Sequence, residues 1–203
     1  MIRHGRSLAD DENKIEGAGW DAPLTAEGER QARLVANRLN SEGYRPDVLL
    51  ASPLQRAARV AEIISAVIGG PEVIHDPRLS EVHTGQLGGL TEAEAERIHP
   101  RPAGGFRSYI PMPGGECHLD QVGRVLHFFA ELADHHGSDS VLIVAHGGTL
   151  SRLLQVIYGL TLWAPLLDRP FFRFYTGDTG IHRLTVREGS VVTHFLNDTA
   201  HLQ

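Results

Sequence analysis

Residues 141–148, Val-Leu-Ile-Val-Ala-His-Gly-Gly, constrain the fold more than any other stretch of the chain. Apolar residues in unbroken succession, without the alternation of a half-solvated strand, predict a strand covered on both faces. Helices packed on either side of a mainly parallel sheet provide that cover. The strand stops at His146, and two glycines follow before a helical run at 150–158. A strand that passes through glycine into a helix leaves free backbone N–H groups at the sheet's carboxyl edge, where anions bind.

The start of the chain repeats this arrangement. Met1 and Ile2 lead into Arg3, His4 and Gly5, with the hydroxyl of Ser7 close behind. Imidazole is a competent nucleophile near neutral pH, and guanidinium is the side chain best shaped to hold phosphate. Only Met1 and Ile2 precede Arg3, against about five to six residues in a typical strand. The first strand is therefore expected to be very short, or to begin before the numbered chain.

Between these stretches the pattern alternates. Residues 8–23 are polar and irregular and read as a loop. Thr25 is a suitable N-cap, with Glu27 and Glu29 in the first turn of a helix that Gly43 stops. Val48–Ala51 suits a buried strand, and Ser52-Pro53 reads as the start of a helix whose apolar stripe ends before Gly69. Residues 72–75 suit a brief strand. Residues 76–115 are rich in glycine and proline around a helix at 91–98, as in a lid or specificity insertion. Leu119, Val122, Leu126, Phe129 and Ala133 mark a helix ending near Gly137, and strand-like runs follow at 171–175, 181–187 and 190–196, with a turn at Glu188-Gly189. The expectation is a single domain over 1–203, an α/β/α sandwich of three layers with a mainly parallel sheet and an antiparallel edge.

Charge and cysteine content narrow the partners. The formal net charge is −6, which argues against non-specific binding to nucleic acid or to an anionic membrane. Any anion site must be a local cluster. The only cysteine is Cys117, so no intrachain disulfide is available, in keeping with a cytoplasmic setting. Cys117 and His118 with His135 and His136 match no zinc spacing, so no metal is expected.

His4 and His146 both end a strand and precede glycine, so both can face one pocket. Arg56 lies in the first turn of its helix, and helical side chains lean towards the N-terminus, over the same sheet edge. Two imidazoles and two guanidiniums then converge on one anion. Glu81, in the loop after the next element, offers a carboxyl.

These motifs in this order resemble the histidine phosphatase superfamily, the phosphoglycerate mutase-like proteins, over essentially the whole chain. The resembling stretches are Arg3-His4-Gly5 with Ser7, Pro23-Leu24-Thr25 with Gly28 and Gln31-Ala32, Ser52-Pro53-Leu54 with Arg56-Ala57, and Leu79 with Glu81 and Gly85. Pro113-Gly114-Gly115-Glu116, Val144-Ala145-His146-Gly147-Gly148 and the segment from Asn197 to Leu202 complete the set. The resemblance implies that His4 becomes phosphohistidine, that Arg3, Arg56 and His146 hold the non-bridging oxygens, and that Glu81 serves as general acid and base. Arg3 and Arg56 would keep His4 neutral and nucleophilic. Their charge makes a metal or other cofactor unnecessary.

The chain departs from the family pattern at several points. Arg6 stands where Glu or Gln is usual, Asp10 where Asn is frequent, Val60 where Thr is frequent, and Cys117 where Ser often caps a helix. Arg6 and Asp10, with Gly147, are candidate substrate contacts. Arg97, Arg101 and Arg107 could include a specificity residue, although each is more in keeping with a solvated surface. Trp20 suits loop packing, and Glu116 suits a structural role.

A phosphatase acting on a small phosphorylated metabolite is the leading expectation. A phosphoglycerate mutase would use the same residues, and a non-catalytic phospho-ligand scaffold could share the fold. Residues 76–115 are short and only modestly basic for a mutase lid, which favours hydrolysis. A homodimer is compatible with the sequence.

Overall fold

The computed structural model describes residues 1–100, 109–160, 173–187 and 189–203. Strand β1 (Ile2–Arg3) is followed by helices α1 (Leu8–Glu12) and α2 (Ala26–Ser41), strand β2 (Val48–Ala51), helix α3 (Gln55–Ile68) and strand β3 (Val73–His75). Helices α4 (Glu92–Ile98) and α5 (His118–His136), strand β4 (Val141–Ala145) and helix α6 (Gly147–Ile157) come next, and strands β5 (Ile181–Arg187) and β6 (Ser190–Asp198) complete the sheet. The strand order is β3-β2-β4-β1-β5-β6. Pairs β3–β2, β2–β4 and β4–β1 are parallel, whereas β1–β5 and β5–β6 are antiparallel. A mainly parallel sheet with an antiparallel edge was the arrangement expected from the sequence.

The unbroken apolar run of β4 is explained by its central place. Leu142 and Val144 join Leu49 and Ala51 of β2 in one core with Ala32, Val35, Ala57 and Ile64 of α2 and α3. Ile143, Ala145 and Leu50 face the opposite way, into a second core with Val125, Phe128, Leu150 and Leu153 of α5 and α6. Each fully buried Val, Leu or Ile stabilises such a core by roughly 1.5–3 kcal/mol, so both sheet faces hold the strand in register.

Local chemistry sets the helix starts. Thr25 caps α2 by accepting from the Gly28 N–H. At α1, where a loop was expected, the hydroxyl of Ser7 and the carboxylate of Asp10 form a reciprocal capping box, and Asn13 closes the helix in the left-handed region. Five residues are too few to show helical periodicity, so the caps alone define this turn. Helix α3 begins later than Ser52-Pro53 suggests, with Leu54 as its N-cap, because the Ser52 hydroxyl is engaged elsewhere. Its oxygen accepts from the Leu54 N–H at 3.2 Å and bonds His146.

Strand β1 pairs Ile2 with Val144 and Ile181, and Arg3 with Ala145. Residues 76–115 carry two 3-10 turns (Pro77–Leu79 and Gly85–Leu87) as well as α4. Residues 173–175 form no strand, and the remainder of that expected strand, with Glu188 of the expected turn, lies outside the described residues. No helix among the described residues is long and apolar enough to cross a membrane.

Candidate active site

Adjacent parallel strands bring their carboxyl ends side by side, and this places the two histidines together. The His4 N–H donates to the Ala145 carbonyl at 3.0 Å, extending the β1–β4 ladder by one bond. Beyond it the His4 and His146 rings lie 5.1 Å apart, tilted by 58°. Both are buried. The approach of α2 to the chain after β1 requires glycine at Gly5 and Gly28, because a Cβ on either would run into the other segment's backbone.

Hydrogen bonds fix the two imidazoles differently. Nδ1 of His4 donates to the Gly5 carbonyl at 2.7 Å, which leaves Nε2 without a proton and its lone pair turned towards Arg56. Nε2 of His146 lies 2.8 Å from the Ser52 hydroxyl. With that hydroxyl donating, Nδ1 of His146 carries the proton. Burial, reinforced by Arg3 and Arg56, holds His4 well below the usual imidazole range. Burial, then Arg56, His4 and Arg3, does the same to His146. Both rings are neutral at physiological pH.

Two arginines complete the pocket wall. Arg56, in the first turn of α3, is fully buried, with Nε 3.4 Å from Nε2 of His4. It faces Glu16 at 3.1 Å and Asp21 at 3.2 Å. Arg3 faces Asp178 at 3.2 Å and Asp10 at 3.8 Å. Three buried donors, Arg3 Nε, Arg56 Nη2 and His146 Nδ1, have no hydrogen-bond partner among the described residues. A Cβ added at Gly147 would lie 3.7 Å from Arg3 Nε, which puts that guanidinium beside the start of α6. Buried donors of this kind are suited to the oxygens of a tetrahedral anion.

Glu81 reaches the pocket after the first 3-10 turn. Its Oε1 accepts from the Val82 N–H at 2.9 Å and from Gln121 Nε2 at 2.8 Å, and its Oε2 accepts from the Gly148 N–H at 2.8 Å. Among the described residues Oε2 accepts that one hydrogen bond, which leaves it a further lone pair. The carboxyl thus sits at the N-terminus of α6, next to the strand end that carries His146.

Other sequence candidates are placed less centrally. Asp10 serves the capping box of α1 and stands beside Arg3. Arg6 turns to the surface, where Nε contacts Asp11 at 2.5 Å, and does not join the cluster. Glu116 pairs with Arg124 at 3.0 Å and accepts from the His83 N–H, a structural arrangement. Lys14 lies over the Trp20 ring. Arg97 is exposed on α4, and Arg101 and Arg107 lie outside the described residues. No group of three or more His, Cys, Asp or Glu among the described residues could hold a metal ion. Glu16, Asp21, Asp178 and Gln121 were not singled out by sequence reasoning, and Ser52 was read only as a helix start. They reach the site through tertiary packing, which leaves no spacing signal.

Comparison with known proteins adds a second kind of observation. The family model described as "Histidine phosphatase superfamily (branch 1)" matches residues 1–199. The 2,3-bisphosphoglycerate-dependent phosphoglycerate mutase of Methylobacterium sp. (strain 4-46) is 34% identical over 196 residues, covering 91% of this chain and 89% of that protein. Phosphoglycerate mutase-like protein 4 of Arabidopsis thaliana is 34% identical over 159 residues, covering 76% and 68%. Among solved structures, Bacillus stearothermophilus YhfR aligns with a TM-score of 0.82 and 26% identity, covering 100% of this chain and 97% of that one. The mycobacterial glucosyl-3-phosphoglycerate phosphatase solved with VO3 aligns with a TM-score of 0.78 and 25% identity, covering 97% and 96%.

Proposed function

The chain belongs to the histidine phosphatase superfamily, and we propose that within it the protein hydrolyses a small phosphomonoester through a phosphohistidine on His4. One observation carries the reading. A neutral imidazole whose Nε2 carries no proton, with only a long 3.4 Å contact from Arg56 on its lone pair, stands beside buried guanidinium and imidazole donors that lack partners among the described residues. Phosphoryl transfer depends mainly on positioning and on neutralising charge spread over the non-bridging oxygens. Arg3, Arg56 and His146 are suited to hold those oxygens.

In the first step Nε2 of His4 attacks phosphorus and the bond from phosphorus to the ester oxygen breaks. Glu81, entering as the acid, gives its proton to the leaving oxygen. Water then attacks the phosphohistidine, its proton passes to Glu81, and the P–N bond breaks to return neutral His4. The guanidiniums supply the positive charge that the transition state needs, so the cycle calls for no cofactor. The partner is a small phosphorylated metabolite.

A phosphoglycerate mutase would share the first step and return the phosphoryl group to a second hydroxyl. The names of the curated relatives favour this second reading. Hydrolysis is preferred because residues 76–115 offer few basic residues to enclose a phosphoglycerate, and because the mycobacterial neighbour is named a phosphatase.

The test is release of phosphate from p-nitrophenyl phosphate by the wild type and by His4→Ala, beside an exchange assay between phosphoglycerate isomers. Wild-type turnover with a loss on the order of 10⁴-fold in the variant is expected. Isomer exchange outpacing hydrolysis would favour the mutase. Undiminished hydrolysis by His4→Ala would remove His4 from the nucleophile's role.

A further inference from the structure

Glu16 lies between α1 and α2 and turns its carboxyl into the pocket. Its Oε2 is 3.6 Å from Nε2 of His4, and its Oε1 is 3.1 Å from Nε of Arg56. The nitrogen that would attack phosphorus is therefore flanked by a carboxyl group. A phosphoryl group within bonding reach of Nε2 would bring its oxygens against Glu16, and two anions that close in a buried site repel strongly.

The surroundings do not cancel that repulsion. Arg56 already faces Asp21 as well as Glu16, and Arg3 faces Asp178 and Asp10. Glu81 adds a further carboxyl within electrostatic range of Arg56. Two guanidiniums are thus outnumbered by acidic groups before any substrate enters. His4 and His146 cannot make up the difference, since burial and the arginines hold both neutral.

We infer that Glu16 joins the phosphoryl complex as a carboxylic acid, donating a hydrogen bond to a non-bridging oxygen, so that the site takes up a proton together with its substrate. The inference rests on the phosphoryl-transfer reading above and adds a proton-coupled binding step to it. The proton comes from solvent as the phosphate enters, is shared between the carboxyl and phosphoryl oxygens, and returns when inorganic phosphate leaves. No bond to phosphorus is made or broken in this step.

The groups around Glu16 are consistent with that role. Burial raises its carboxyl above the usual range, while Arg56, a hydrogen bond from Ser7 and the more distant Arg3 pull the other way and Asp10 adds to the rise. Asp10 and Asp178 are engaged with Arg3, and Asp21 with Arg56 and the N–H of Gln55. Glu81 is the other carboxyl to which the phosphoryl-transfer reading gives a proton, and the experiment must separate the two.

Calorimetric titration with inorganic phosphate, in two buffers of different ionisation enthalpy, counts the protons taken up. The wild type is expected to take up about one proton more than Glu16→Gln, and Glu81→Gln is expected to keep the share owed to Glu16. As pH rises, phosphate affinity should fall more steeply in the wild type, by up to about tenfold per pH unit relative to Glu16→Gln. Equal uptake in the wild type and Glu16→Gln, with phosphate bound by both, overturns the inference and leaves the phosphoryl-transfer reading standing. A wild type that binds no phosphate overturns both. Should Glu16→Gln not fold, the carboxyl carbon resonance of Glu16 in the wild type answers the same question. A shift to the protonated form on adding phosphate is expected, and a carboxylate that stays ionised overturns the inference.

Discussion

Glu81 accepts from Val82, Gln121 and Gly148 at once, so its position is held from three sides. If it protonates the leaving group, the demand on it scales with the basicity of that group. Glu81→Gln should slow hydrolysis of an alkyl phosphate by about 10²–10⁴-fold and hydrolysis of p-nitrophenyl phosphate by much less. Single-turnover rates on the two esters would show this, and equal losses would take the general-acid role from Glu81. That Arg3, His4, Arg56 and His146 would meet was legible because each stands where a strand ends or a helix begins, and Glu81 because it lies in the loop after the next element. Glu16 was not legible. A carboxylate beside the histidine proposed to receive a phosphoryl group looks unfavourable on paper, and only the folded chain brings it to His4. Ser52 was half legible: its sequence context points to a cap, whereas in the structure its hydroxyl also bonds the His146 ring.

Helix α2 and the loop after β1 meet backbone to backbone at Gly28, where an added Cβ would strike the Arg6 carbonyl. Gly28→Ala must therefore push the helix and the loop apart. A loss of about 1–3 kcal/mol is expected, read as a lowered melting temperature. Turnover should fall as well, because the loop also sets His4. Unchanged stability and turnover would show that the contact relaxes freely. The longer helices α2 and α5 were readable from sequence because they present apolar residues at helical spacing over enough length, and β4 because its unbroken apolar run stops at a histidine and two glycines. Helix α1 failed that test at five residues. The start of α3 was misplaced because the Ser52 oxygen bonds both the Leu54 N–H and His146, a use that only the neighbouring strand reveals. Residues 173–175 had strand-like composition, but they pair with no strand among the described residues.

The two cores lie on opposite faces of one sheet, and the site lies at its edge, so stability and chemistry draw on different groups. His182, on β5, illustrates the stability side. Its Nδ1 accepts from the Asn197 N–H at 3.2 Å and its Nε2 lies 2.8 Å from the Thr176 hydroxyl. A second ring proton has nowhere to go, and burial lowers its pKa from 6.5 to about 4. In the unfolded chain the ring takes up a proton from about pH 6.5 downward. This contribution to stability is therefore complete above that pH and is lost as pH falls towards 4, to a total of about 3 kcal/mol. Thermal melts should decline over that window, and His182→Gln should flatten the decline. An unchanged slope would place the acid sensitivity elsewhere. The buried donors Arg3 Nε, Arg56 Nη2 and His146 Nδ1 add a different liability. Desolvated groups without partners raise the free energy of the ligand-free protein. Under the proposed function, an oxyanion binding only the folded chain would lower it, by about 2.7 kcal/mol at a hundredfold excess over its dissociation constant. Such a protein would be protected from proteolysis while its substrate is plentiful and cleared sooner when the supply fails, so its abundance would follow the metabolite it consumes.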